Sequence, residues 1–124
     1  MNQTPYQCLA QRLDELPNGF PPTPDGVELR LLAYLYTPEE ADLVAKLRMT
    51  LETPEQVVGR LGGELKDVRA MLKSMARRGL IHAGRTEAGL GYGLMPFVVG
   101  VYEMQIYRLD AEMARMFEDY YHQA

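Results

Sequence analysis

Tyr6, Leu9, Leu13 and Leu16 return at intervals of three and four, the period of one helix face, and predict a first helix over residues 5–16. It stops at PNGFPPTPDG, residues 17–26, where four prolines and two glycines exclude regular structure. Phe20 is too apolar for a free linker, so this stretch is expected to lie pinned against the domain. VELRLLAYLY carries a second helix. TPEE (37–40) and TPEQ (53–56) each offer a threonine N-cap, proline at the first helical position and an acid or amide at the third. These are capping boxes, and they predict helices starting at Pro38 and Pro54. The second of these ends at Gly62-Gly63, and a longer helix runs from about Glu64 to Arg78, with Gly79 just past its end.

Two helices joined by a tight glycine turn form a helix-turn-helix candidate, with Leu61, Leu65, Val68, Leu72 and Met75 as their common apolar seam. Beyond Gly79, LIHAGR and YGLM read as two short strands around TEAGLG. Tyr102, Ile106, Leu109, Met113, Phe117 and Tyr120 then follow at helical spacing and predict a long amphipathic helix. The expected fold class is mainly α with a small β-hairpin: a winged helix-turn-helix with additional N- and C-terminal helices. A single domain over residues 1–124 is expected, with the helix-turn-helix at 54–78, the wing at 80–95 and the C-terminal helix at 97–121.

Composition narrows the class without naming a task. The 124 residues are 47% hydrophobic and 24% charged, as in ordinary globular domains. No run reaches the roughly 18 apolar residues of a membrane span. The first residues lack the order of a secretory signal, and one cysteine cannot form an internal disulfide, so a cytoplasmic setting is expected. The net charge of −4 hides a division. Between Arg60 and Arg85 stand seven basic residues and two acids, an excess of five positive charges, while the remainder carries six basic and fifteen acidic residues.

Groupings that could support catalysis are sparse. Cys8, His82 and His122 fall in three separate elements, and no pair has the spacing of a metal site. The glycines of GRTEAGLGYG lack the strand-before, helix-after setting and the Lys-Ser/Thr of a phosphate loop, so they read as hairpin turn residues. The paired acids Glu39-Glu40 and Glu118-Asp119 read as solvated helix faces. Neither a catalytic residue nor a bound cofactor or metal is expected within the chain, and no small-molecule substrate is evident.

Two surfaces remain. Lys66, Arg69, Lys73 and Arg77 are spaced three, four and four apart and form one stripe on the helix. Together with Arg85 on the wing they are the candidate nucleic-acid contacts, in the arrangement a winged helix uses on DNA. Against that use, Glu64 and Asp67 occupy the turn that would meet base edges, and residues 64–73 hold no Asn, Gln, Ser or Thr. Arg77 and Arg78 also suit a helix C-terminus through the macrodipole. The second surface is the C-terminal helix, where methionines and aromatics fall on more than one face. Phe97, Tyr102, Ile106, Leu109, Met113 and Phe117 are the candidate interface toward a protein partner or a twin subunit.

LPNGFPPTPDGVELRLLAYLYTPEEADLVAKL, the MARRGLI turn and MPFVVGVYEMQIYRLD together resemble the N-terminal winged-helix region of bacterial and archaeal ferredoxin-type iron–sulfur proteins. The helix-turn-helix portion alone is generic and is shared with MarR- and ArsR-like regulators. The resemblance implies an electron-transfer setting, in which such a region precedes a segment holding two 4Fe–4S clusters in cysteine runs. No such run occurs here, so clusters could be held only by a C-terminal extension, and the resemblance transfers no catalytic residue. It favours a non-catalytic interaction or regulatory domain of a ferredoxin-type protein. The alternative is a MarR/ArsR-like DNA-binding transcriptional regulator.

Overall fold

The computed structural model describes residues 4–16, 19–96, 101, 105, 115, 116, 118–120 and 123. The chain is mainly helical with one two-stranded antiparallel hairpin. Its elements run α1 (Pro5–Asp14), α2 (Val27–Leu35), α3 (Pro38–Ala45), α4 (Pro54–Leu61), α5 (Leu65–Arg77), β1 (His82–Thr86) and β2 (Gly89–Gly93). α1 ends two residues before the predicted Leu16. The expected C-terminal helix falls largely outside the described residues; Gln105, Arg115, Met116, Glu118, Asp119 and Tyr120 are helical.

Three helices begin by one chemical device. Thr37 and Thr53 accept from the backbone N–H of Glu40 and Gln56, whose side chains accept in return from the threonine N–H groups. Thr4 and Gln7 do the same for α1, from a TPYQ signal that repeats the pattern. Each box satisfies two amides that a helix start leaves without partners.

α1 packs against α2 and α3, and α4 against α5. Leu9, Leu13, Val27, Leu31, Leu32, Val44, Val57, Leu72 and Met75 share one buried core. The seam predicted between α4 and α5 is shorter than expected. Val68, Leu72 and Met75 are buried, but Leu65 is half-buried and Leu61 is exposed, because α4 ends there and its last turn faces solvent. Tyr36 ties the halves of the core together: its hydroxyl donates to the Leu80 carbonyl at 3.0 Å, while its own carbonyl accepts from the Tyr6 hydroxyl at 2.7 Å. Burial pushes the Tyr36 phenol well above its ordinary pKa, so it stays a donor. Phe20, in the proline-rich stretch, is buried as expected.

α5 closes in a Schellman motif. Gly79 adopts φ 77°, its N–H reaches the Ala76 carbonyl, and the Leu80 N–H reaches the Met75 carbonyl. The chain then enters the hairpin at buried Leu80 and Ile81. The strands differ from the predicted pair. TEAGLG is not a loop: Thr86 closes β1, Gly89–Gly91 open β2, and only Glu87 and Ala88 turn between them. The Thr86 hydroxyl donates to the Gly89 carbonyl and accepts from the Ala88 N–H, which lets so short a turn hold.

A third segment completes the ribbon. Glu52 and Tyr92 exchange both backbone hydrogen bonds, and the Leu94 N–H donates to the Arg48 carbonyl. The residues just before α4 thus lie along the free edge of β2. Glu52 is anchored there by Arg60, whose Nε and Nη2 reach its carboxylate at 3.0 and 2.6 Å while Nη1 donates to the Lys46 carbonyl. The Arg60 hydrogen bond holds the Glu52 carboxyl below the usual carboxylate range, against a smaller opposing effect of burial. A carboxyl lowered in the folded state stabilises fully above its unfolded value and loses that contribution as pH falls through the folded one. Thermal stability is therefore expected to decline from about pH 5 downward. Melting curves of Glu52→Gln against pH should show a shallower decline; an unchanged acid slope would remove Glu52 as a contributor.

Candidate functional site

α5 separates its faces cleanly. Val68, Leu72 and Met75 point into the core, and Lys66, Arg69, Lys73 and Arg77 are exposed on the opposite side. Arg85 is exposed on β1. The four α5 positions share one face of that helix, as their spacing requires, and Arg85 stands on the hairpin.

The charge around them is not that of a phosphate track. Arg69 is bound to Glu55 of α4 at 2.5 Å, and both side chains are about half exposed, at 51% and 57%. The Glu55 carboxyl lies below its ordinary range, chiefly through its own backbone N–H and then through Arg69. Glu64 and Asp67 are exposed at the N-terminal turn of α5, and Glu87 is exposed in the hairpin turn. Five cations and four carboxylates leave an excess of one positive charge. Lys66, Lys73 and Arg85 make no ion pair among the described residues.

The wider basic set is smaller than its count suggests. Arg60 is spent on Glu52 and the Lys46 carbonyl. Arg78 is bound to Glu40 and also donates to the Leu35 and Ser74 carbonyls. Both guanidiniums are thus engaged within the chain, so the excess of positive charge counted between Arg60 and Arg85 overstates what is available to a phosphate. Glu40 likewise is buried, not part of a solvated acidic face. Sequence reasoning missed these pairs: Arg78–Glu40 and Arg69–Glu55 join residues that only the packing of α3, α4 and α5 brings together, and Arg60 meets Glu52 across the segment that leads into α4.

Between the start of α4, α5 and the hairpin tip lies a cleft of about 290 Å³ lined by Thr53, Pro54, Glu55, Arg69, Lys73, Ala88, Leu90 and Tyr92. Its floor is the buried Pro54 and Tyr92, and its rim includes Leu90, an apolar side chain left 50% exposed. The C-terminal end of α5 and the proline-rich stretch are covered from within. Gln105 is buried and donates from Nε2 to the Arg78 and Gly79 carbonyls at 2.8 and 3.3 Å, covering the end of α5. Tyr120 stacks on Phe20 at 5.0 Å between ring centroids, and its hydroxyl donates to the Pro21 carbonyl. Phe97, Tyr102, Ile106, Leu109, Met113 and Phe117, the candidate interface, lie outside the described residues.

Cys8 is half-buried on α1 and His82 is exposed on β1. Among the described residues no three His, Cys, Asp or Glu side chains gather as a metal site. A 4Fe–4S cluster requires four thiolates, and the chain has one cysteine, so its own residues do not fit such a group. No helix among the described residues is long and apolar enough to cross a membrane. Comparison with protein-family models, curated proteins and solved structures found no match.

Proposed function

We propose that residues 38–93 form a winged helix-turn-helix and that the chain is a non-catalytic interaction module. The element order supports the first part. α3 is followed by the Glu52 bridge, the α4–α5 pair across Gly62-Gly63, and a hairpin whose β2 pairs back to Glu52. The observation that carries the second part is the charge of the α5 face. Glu55, Glu64, Asp67 and Glu87 offset its cations, and Arg69 is already paired. Such a mosaic suits a protein surface, where charges of both signs set register and exclude wrong partners, better than it suits a polyanion. The resemblance described above adds that the module works beside a 4Fe–4S electron-transfer unit. The reading frame after Ala124 checks that half: two runs of four cysteines support it, and a stop codon removes it.

A second reading, a DNA-binding regulator, draws on the exposure of Lys66, Lys73, Arg77 and Arg85 on one side of α5 and the hairpin. The two readings predict different salt behaviour. Five phosphate contacts on duplex DNA would reduce affinity by about 500-fold between 50 and 200 mM salt, from a slope of about −0.9 per contact. Fluorescence anisotropy with a labelled 24-base-pair duplex is expected to show no binding of that kind. Micromolar binding that follows the slope and is abolished by the double variant K73E/R77E would replace the interaction module with the regulator.

A further inference from the structure

We propose that the cleft between the start of α4, α5 and the hairpin tip seats an acidic segment of a partner protein carrying an apolar anchor residue. This rests on the interaction-module reading and names its surface and the chemistry of its partner. Two features of the cleft point to that occupant. Arg69 is neutralised by Glu55, so Lys73, one turn further along α5, is the cation on this wall with no ion pair among the described residues. Next to it, Leu90 stands half exposed over Tyr92 and Pro54, and exposed Ala88 continues the apolar rim. An unpaired ammonium beside an apolar notch is complementary to a carboxylate one or two residues from a leucine or phenylalanine. A DNA backbone satisfies only the first half of that description.

The engagement of Tyr120 argues against the chain's own acidic aromatic stretch, residues 116–121, as the occupant in a second copy. That stretch has the right composition, but Tyr120 is held on Phe20 and the Pro21 carbonyl, so its aromatic anchor is already buried. A partner with a free segment of this kind meets no such competition. The pocket accommodates one or two side chains, so the expected contact is a short linear segment with its affinity concentrated in Lys73 and Leu90.

The test is selection from a displayed library of random 16-residue peptides against the full 124-residue chain, with the double variant K73E/L90D as counter-target. Both positions are exposed, so the variant is expected to melt like the parent by circular dichroism. Enriched peptides should place Asp or Glu beside Leu or Phe. A synthesised winner should shift the amide resonances of Glu55, Lys73, Ala88 and Leu90, and bind K73E and L90D each about tenfold more weakly. No enrichment, basic winners, or winners that bind the double variant equally would overturn the assignment. So would concentration-dependent shifts of the same amides without peptide, which would name a second copy as the occupant. A 24-base-pair duplex separates the two levels of failure. If the duplex shifts the cleft amides and no peptide does, the interaction-module reading fails too; if neither does, only the cleft is wrong.

Discussion

Replacing Gly93 with alanine is expected to destabilise the protein by about 2–3 kcal/mol, lowering its melting temperature by roughly 10 °C. A Cβ at this position would lie 2.9 Å from the Met49 carbonyl oxygen, 3.1 Å from that of Arg48 and 3.3 Å from that of Thr50. These are backbone atoms, so no side chain can rotate away to relieve the crowding. The segment must move off β2, straining the Leu94–Arg48 and Glu52–Tyr92 hydrogen bonds that fasten it. Gly59 is the control. It lies exposed within α4, and a Cβ there meets nothing within 4 Å. Gly59→Ala should therefore raise stability by about 0.5–1 kcal/mol, because alanine loses less backbone entropy in a helix. Urea melts of the two variants should move in opposite directions. A Gly93→Ala protein as stable as its parent would mean that residues 48–50 do not lie against β2.

The hairpin shows where the sequence could be read and where it could not. Its existence followed from the Gly79 helix stop and the alternation after it, but its glycines were assigned to a turn. Gly84 and Gly93 instead sit against residues 48–52, where a Cβ would come 2.9 Å from the Leu51 side chain and from the Met49 carbonyl, respectively. At Gly91 it would meet Thr86 at 2.9 Å and Leu51 at 3.1 Å. Close approach of a distant segment leaves the same glycine in the sequence as a turn does, and only tertiary structure separates the two. The starts of α3 and α4 were legible because a capping box is local: threonine, proline and the third residue carry the whole signal within four positions. The stripe of Lys66, Arg69, Lys73 and Arg77 was equally legible, since helical period alone places it. Its electrostatic meaning was not. Glu55 is fourteen residues from Arg69, and the two meet only because α4 and α5 pack together.

A second large effect is expected at the ion pair that joins α5 to α3. Glu40 is buried, with its side chain 8% exposed, and it serves two structures at once. One carboxylate oxygen accepts from the Thr37 N–H in the α3 capping box, and the other meets the Arg78 guanidinium at the end of α5. Removing one member of a buried pair leaves the other charge without compensation, at a cost of about 3–5 kcal/mol when both are fully enclosed. Arg78 is 37% exposed, so water recovers part of that loss. Adding the lost cap, Glu40→Ala is expected to cost about 2–3 kcal/mol. Glu40→Gln separates the contributions. Glutamine already closes the boxes at Gln7 and Gln56 in this chain, so it should keep the cap and lose only the charge, for about 1–2 kcal/mol. Arg78→Lys should resemble it, because an ammonium cannot reach Glu40 and the Leu35 and Ser74 carbonyls together from one planar fork. Since Gln105 holds the Arg78 carbonyl, loosening this corner should also raise amide hydrogen exchange at Gly79 and Leu80. If Glu40→Gln melts with the parent protein and exchange at those two amides is unchanged, the pair is a surface contact and the end of α5 is held without it, by the Schellman turn, Tyr36 and Gln105.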